Sequence, residues 1–186
     1  MRRLHTAALL AAALLIGPSM SASAAGPDAA VEPHLLDRFK ALAGEWSGTG
    51  LDGNSMPDVA VSYTITAGGS AVEELQFPGT SHEMRTLYVR DGDDVVLVHF
   101  CASGNHPKMR SRTGENGEVV FDFDGAINFD PAKAAHMHDV RFAFVGPDEL
   151  TSRWQFWDGG KPASHVANFH LKRVKIEPNE LVDPPR

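Results

Sequence analysis

Cysteine is almost missing from this chain, which has one, Cys101, in 186 residues. A single thiol makes no internal disulfide, so the disulfide-stapled class of small domains is excluded. Four roles stay open for Cys101: sealed in a core, a ligand, a reactive thiol, or an intermolecular bridge. Burial is the first expectation, because unpaired cysteine packs like a small hydrophobe. Positive charge is also scarce, with 17 Lys and Arg against 24 Asp and Glu and a formal net charge of −7. A phosphate-tracking surface needs the opposite sign, which argues against nucleic acid as a partner. The apolar run from Ala7 to Ile16 is too short to span a bilayer, so no membrane span is expected. Neither C-x-x-C nor H-E-x-x-H occurs, and there is no internal repeat.

The first 25 residues have the layout of a secretory leader. Arg2 and Arg3 precede the apolar run, and Ser21-Ala22-Ser23-Ala24-Ala25 supplies the small residues a signal peptidase accepts. The protein is therefore expected outside the cytoplasm, periplasmic or secreted. No cysteine follows the cleavage region, so no lipoprotein anchor is expected. Removing the leader, with its two arginines, leaves 15 basic against 24 acidic residues. Residues 26–176 are long enough for one domain with a real core. Residues 177–186, with Pro178, Pro184 and Pro185, read as a disordered tail.

Within the domain the apolar period changes once. Leu35, Leu36, Phe39 and Leu42 recur at helical spacing, with Gly44 as the stop. From Glu45 onward the period is two. Val59, Val61, Tyr63 and Ile65 alternate with polar neighbours, and turn signals such as Gly68-Gly69, Asp91-Gly92-Asp93, Glu115-Asn116-Gly117 and Asp158-Gly159-Gly160 separate successive runs. About ten strands result. Many short strands with little helix predict an all-β, roughly ten-stranded antiparallel up-and-down barrel, because closure removes exposed edges. The one long irregular connection, Asp124 to Ala135, is a candidate functional loop.

The segment Leu42-Ala43-Gly44-Glu45-Trp46-Ser47-Gly48-Thr49-Gly50, a helix running into a Gly-x-Trp-x-Gly-x-Gly strand, resembles the opening of lipocalin-like (calycin) barrels, nitrobindin-like ones in particular. In such barrels the tryptophan closes one end and the glycines let a bent first strand pass close to its neighbours. His99-Phe100-Cys101, Gly104-Asn105-His106-Pro107-Lys108-Met109, Phe121-Asp122-Phe123, Asn128-Phe129-Asp130-Pro131 and His136-Met137-His138 extend the resemblance to exported bacterial lipocalin-like proteins without an established function. The resemblance to nitrobindins also implies haem on a late-strand histidine, here His165.

Chemistry concentrates in two i, i+2 pairs, His99 with Cys101 and His136 with His138. Residues two apart on a strand share a face. Val95, Leu97, His99 and Cys101 are expected to face the lumen. Buried His99 would need partners such as Asn105, Glu74, Asn128 or Gln155. Of Glu73 and Glu74 one should face solvent and the other inward, neutralised by Arg85 or Arg153. Imidazole and thiolate suit zinc or copper, so His99, Cys101, His136 and His138, with Met109 as a further donor, form a candidate metal set if their strands are neighbours. Cysteine-nucleophile chemistry is less favoured, because His99 and Cys101 point in parallel and the base would have to be His136 or His138. The reading that results is a small, largely apolar ligand in the lumen, oriented by Glu74, His99, Cys101, Asn105, Met109, Asn128, His136, His138 and Trp154. The rivals are a metal- or haem-dependent protein or enzyme and a partner-binding envelope protein with a filled lumen.

Overall fold

The structure, a computed structural model, describes residues 33–50 and 59–174. The leader, residues 51–58 and the tail lie outside them, so the expectations about export, cleavage and disorder fall beyond what the fold can address. No helix among the described residues is long and apolar enough to cross a membrane.

A short helix, α1 (Leu35–Lys40), precedes ten strands: β1 (Gly44–Gly50), β2 (Val59–Thr66), β3 (Ala71–Gln76), β4 (Met84–Asp91), β5 (Asp94–Phe100), β6 (His106–Thr113), β7 (Val119–Ile127), β8 (His136–Gly146), β9 (Glu149–Asp158) and β10 (Lys161–Arg173). Each pairs antiparallel with its sequence neighbour and β1 pairs with β10, closing the barrel. The expected fold class is the one observed. Three expected boundaries move. β7 runs on to Ile127 and β8 begins at His136, so the irregular connection shortens to residues 128–135, and β10 starts at Lys161. Gly44 does not stop the helix. It opens β1 at φ +127°, and α1 ends at Lys40.

One end of the barrel is plugged. Leu36 and Phe39 on α1 point into it, and Phe39 is fully buried against Tyr88, Phe121, Phe142 and Phe144, with ring centroids 4.4 to 5.7 Å away. His34 is half-buried at the helix start, and its Nδ1 accepts from the Leu36 amide at 3.0 Å. Trp46 is buried beside the helix, with Nε1 donating to the Leu42 carbonyl at 2.7 Å. Arg173, at the end of β10, lies over the Trp46 ring and donates to the Ala41 and Ala43 carbonyls at 2.8 and 2.6 Å. Gly48 has no room for a side chain, since a Cβ there would collide with the His170 carbonyl on β10. The glycine is what lets β1 press against the closing strand.

Candidate functional site

Register places the inward residues of four neighbouring strands in rows. Tyr63 on β2 lies opposite Glu74 on β3, Glu74 opposite Thr86 on β4, and Thr86 opposite His99 on β5. The result is a polar row inside an otherwise apolar wall. Below it, toward α1, come Val72, Tyr88 and Leu97, all fully buried; above it come Gln76 and Met84.

Each polar member of that row is explained differently. The Glu74 carboxylate, 1 % exposed, accepts from the Tyr88 hydroxyl and from Gln76 Nε2 at 2.8 Å. Burial raises its pKa, and these donors partly offset the rise. Tyr63 stands opposite, close enough for the carboxylate's charge to help burial push its phenol well up, although its hydroxyl is not in hydrogen-bond geometry. The expected arginine partner is absent here. Arg85 pairs with the outward Glu73, and Arg153 is exposed beside Gln155, so the Tyr88 hydroxyl and the Gln76 amide hold Glu74 instead. Neutral donors suffice because a raised carboxyl pKa lowers the demand for a counter-charge.

His99 is 1 % exposed and faces the lumen, as the odd-numbered face of β5 predicts. Its Nδ1 meets Thr86 Oγ1 at 2.9 Å, while Nε2 meets no hydrogen-bond partner in the protein. Burial lowers its pKa to about 4, with His106 adding to the effect, so the imidazole is neutral at pH 7. None of Asn105, Glu74, Asn128 or Gln155 partners it; Thr86 does. The ring packs on Trp154, centroids 4.9 Å apart, and Trp154 Nε1 is likewise buried without a partner.

His99 and Trp154 line a cavity of about 320 Å³ at the barrel end opposite α1. Phe77, Met84, Met137, Ala167 and Phe169 supply its apolar wall, with Gln76, Asn168, His82 and His165 also contributing. Of the sequence candidates, only His99, Trp154 and the implied haem ligand His165 reach this cavity. Glu74 sits one residue deeper, touching it through Gln76. Met109 is fully buried core opposite Leu97, and Asn128 is an exposed turn residue at φ +65°. Asn105 ties the β5–β6 turn to the loop before β8, donating to the Ala135 carbonyl at 2.8 Å. Cys101 is half-buried, not sealed, just past β5, where its thiol lies 3.9 Å from Met84 Sδ and accepts from Ser103 Oγ at 3.1 Å.

The second histidine pair is elsewhere. A bulge between Met137 and Asp139 turns Met137 into the cavity and leaves His136 and His138 among Phe123, Phe129 and Trp157. His136 Nδ1 is 2.8 Å from the Ala134 carbonyl, which only accepts, so Nδ1 carries the proton. Its Nε2 then accepts from His138 Nδ1 at 3.0 Å. The His138 ring is stacked between Trp157 at 3.6 Å and Phe123 at 4.6 Å. Desolvation, reinforced by His136, lowers the pKa of His138 to about 4. The two pairs therefore do not converge, and no group of three or more His, Cys, Asp or Glu among the described residues is arranged to hold a metal ion. The four-residue zinc or copper set fails because β6 and β7 stand between β5 and β8, and the bulge re-aims the second pair besides.

Haem fits poorly. His165 is exposed at the cavity rim, edge-on to Phe156. The cavity is too small for a porphyrin plane, and its described lining holds no Lys or Arg to meet propionates.

Sequence reasoning missed Gln76, Phe77, Met84 and Met137. Strand parity on β3 and β4 turns Gln76 and Met84 inward; Phe77 follows β3 at φ +54°, off its parity, and for Met137 a bulge hid it. No model of a known protein family matches the chain, and a search of curated proteins finds no match either.

Proposed function

We propose that the protein binds a small, uncharged, largely apolar molecule in the open half of the barrel, one carrying a hydroxyl or carbonyl group. The observation that carries this reading is the pair of buried, unpartnered polar atoms, His99 Nε2 and Trp154 Nε1, in two side chains that line an apolar cavity. Leaving such groups unmet costs roughly 1–3 kcal/mol each, which a ligand atom placed between them recovers. The cavity's volume falls at the low end of the roughly 300–1,000 Å³ range of ligand sites. The ligand should be neutral. Trp154 is a donor, His99 is uncharged, no cation lines the described wall, and the Glu74 carboxyl lies just beneath. The resemblance of the Gly-x-Trp opening to lipocalin-like barrels agrees with this use of the lumen. A filled lumen, expected of a purely structural envelope protein, is not what this end of the barrel has.

The test is titration with the neutral fluorophore N-phenyl-1-naphthylamine, followed by displacement with 1-octanol or octanoate. Wild-type protein should bind the dye with quenching of tryptophan emission, and octanol should displace it at least tenfold more effectively than octanoate. Ala167→Phe, which fills the cavity, should weaken dye binding at least tenfold. Equal binding by this variant would place the dye elsewhere and defeat the reading. Export, supported by residues 1–25, belongs to the same proposal; a chain that stays in the cytoplasm with those residues still attached would refute it.

A further inference from the structure

The open end carries a thiol that the ligand reading does not use, beside the Met84 and His99 side chains that it does. On β4 and β5 the register that pairs Thr86 with His99 and Arg85 with Phe100 brings Met84 opposite Cys101 one step nearer the rim. The 3.9 Å contact between Cys101 Sγ and Met84 Sδ confirms that pairing. His99 is diagonal to Met84 on the same inward face, a separation of roughly 7–8 Å between backbones that long side chains span. A thiol and a thioether are thus in contact on the barrel wall, one inward position along from His99, whose Nε2 is buried with no protein partner.

We propose that Cys101 Sγ, Met84 Sδ and His99 Nε2 form a three-coordinate site for a soft monovalent ion, Cu(I). Thiolate and thioether together select Cu(I), whereas zinc wants a fourth nitrogen, sulfur or carboxylate donor. Thr86 is placed as the supporting group. With Nδ1–H donating to its hydroxyl, the lone pair is fixed on Nε2, the arrangement in which metal-bound histidines are usually held. Binding replaces the thiol proton by the ion and releases that proton to solvent, with no change of oxidation state. Ser103 Oγ, which already donates to Cys101 Sγ, would stabilise the thiolate. This set differs from the four His and Cys residues whose convergence the fold rules out, because Met84 replaces the distant histidine pair.

The experiment is anaerobic competition for Cu(I) against bicinchoninate, on the full chain as it is exported. The wild-type protein should take up one Cu(I) and show a thiolate-to-copper absorption band in the near ultraviolet. Cys101→Ser should abolish that band. Met84→Leu and His99→Gln should each weaken retention at least tenfold. Met84→Leu nearly conserves volume, so it keeps the test valid should His99→Gln fold poorly. Failure of the wild type to hold one equivalent, or undiminished retention by Met84→Leu, would overturn the proposal, the latter by showing capture by an isolated thiol. Ala167→Phe should leave Cu(I) retention intact, which separates this site from the lumen ligand.

Discussion

At the end of the barrel that α1 closes, Phe39 meets four aromatic rings, whereas at the opposite end His99 and Trp154, each with a buried unpartnered nitrogen, line a cavity. The same strands build both ends. Tyr88 on β4 and Leu97 on β5 belong to the packed half, while Met84 and His99, a few residues along the same strands, belong to the open one. Packed core and open cavity are thus divided along the barrel axis, with the Tyr63–Glu74–Thr86–His99 row between them. Packed aromatic contacts gain from burial without needing polar partners, whereas an open lumen forgoes that gain to leave room for a guest.

The sharpest way to test that division is to cut the packed half. Phe39→Ala should cost about 3–5 kcal/mol in denaturant-melt stability, because it removes a large fully buried ring that its neighbours cannot replace. A loss below about 1 kcal/mol would mean that α1 is not part of the cooperative unit. Acid should come next. His99 has a folded pKa of about 4 against an ordinary value of 6.5, so the unfolded chain binds the extra proton and stability falls as pH drops from about 6.5 through 4. That share is about 3 kcal/mol at most. His138, less deeply buried, acts in the same direction, while Glu74 works oppositely, its raised pKa giving stability that is lost as pH rises. Unfolding midpoints at pH 7 and pH 4.5 should therefore converge in His99→Gln relative to wild type; an unchanged pH slope would show that His99 is not the group that titrates. The smallest expected effect is on the open side. Ala167→Phe, the dye-blocking variant, should shift stability by less than about 1 kcal/mol, because it fills space rather than forcing a packed core apart, which costs about 1–3 kcal/mol. A larger loss would mean the open end is as tightly packed as the closed one.

The barrel was legible because its evidence is local. Alternation in runs such as Val95 to Phe100, and turn residues between them, gives strands, and closure then follows from economy of edges. Trp46 and Gly48 likewise announced a plugged end and a tight first strand, and each performs that task. The site was legible only in part. His99 was found because parity on β5 is unbroken, and Trp154 because a large inward aromatic on β9 is hard to place elsewhere. His136 and His138 were misplaced because a single bulged residue reverses which neighbour faces inward, and no residue in His136-Met137-His138 advertises that irregularity. Parity turns Met84 inward, yet methionine on a strand reads as ordinary core rather than as a site residue, and the bulge hid Met137 altogether. Thr86 could have been recognised as the partner of His99 only once the β4–β5 register was known.

Arg173 reaches from the end of the last strand back to the carbonyls that follow α1, across about 130 residues of chain, beside the β1–β10 seam. The seam and its clasp are made by the most distant parts of the domain, so the ring stays open until the final strand is available. A growing chain would then hold an unclosed sheet until its last strand is made, and lock only when β10 and Arg173 arrive.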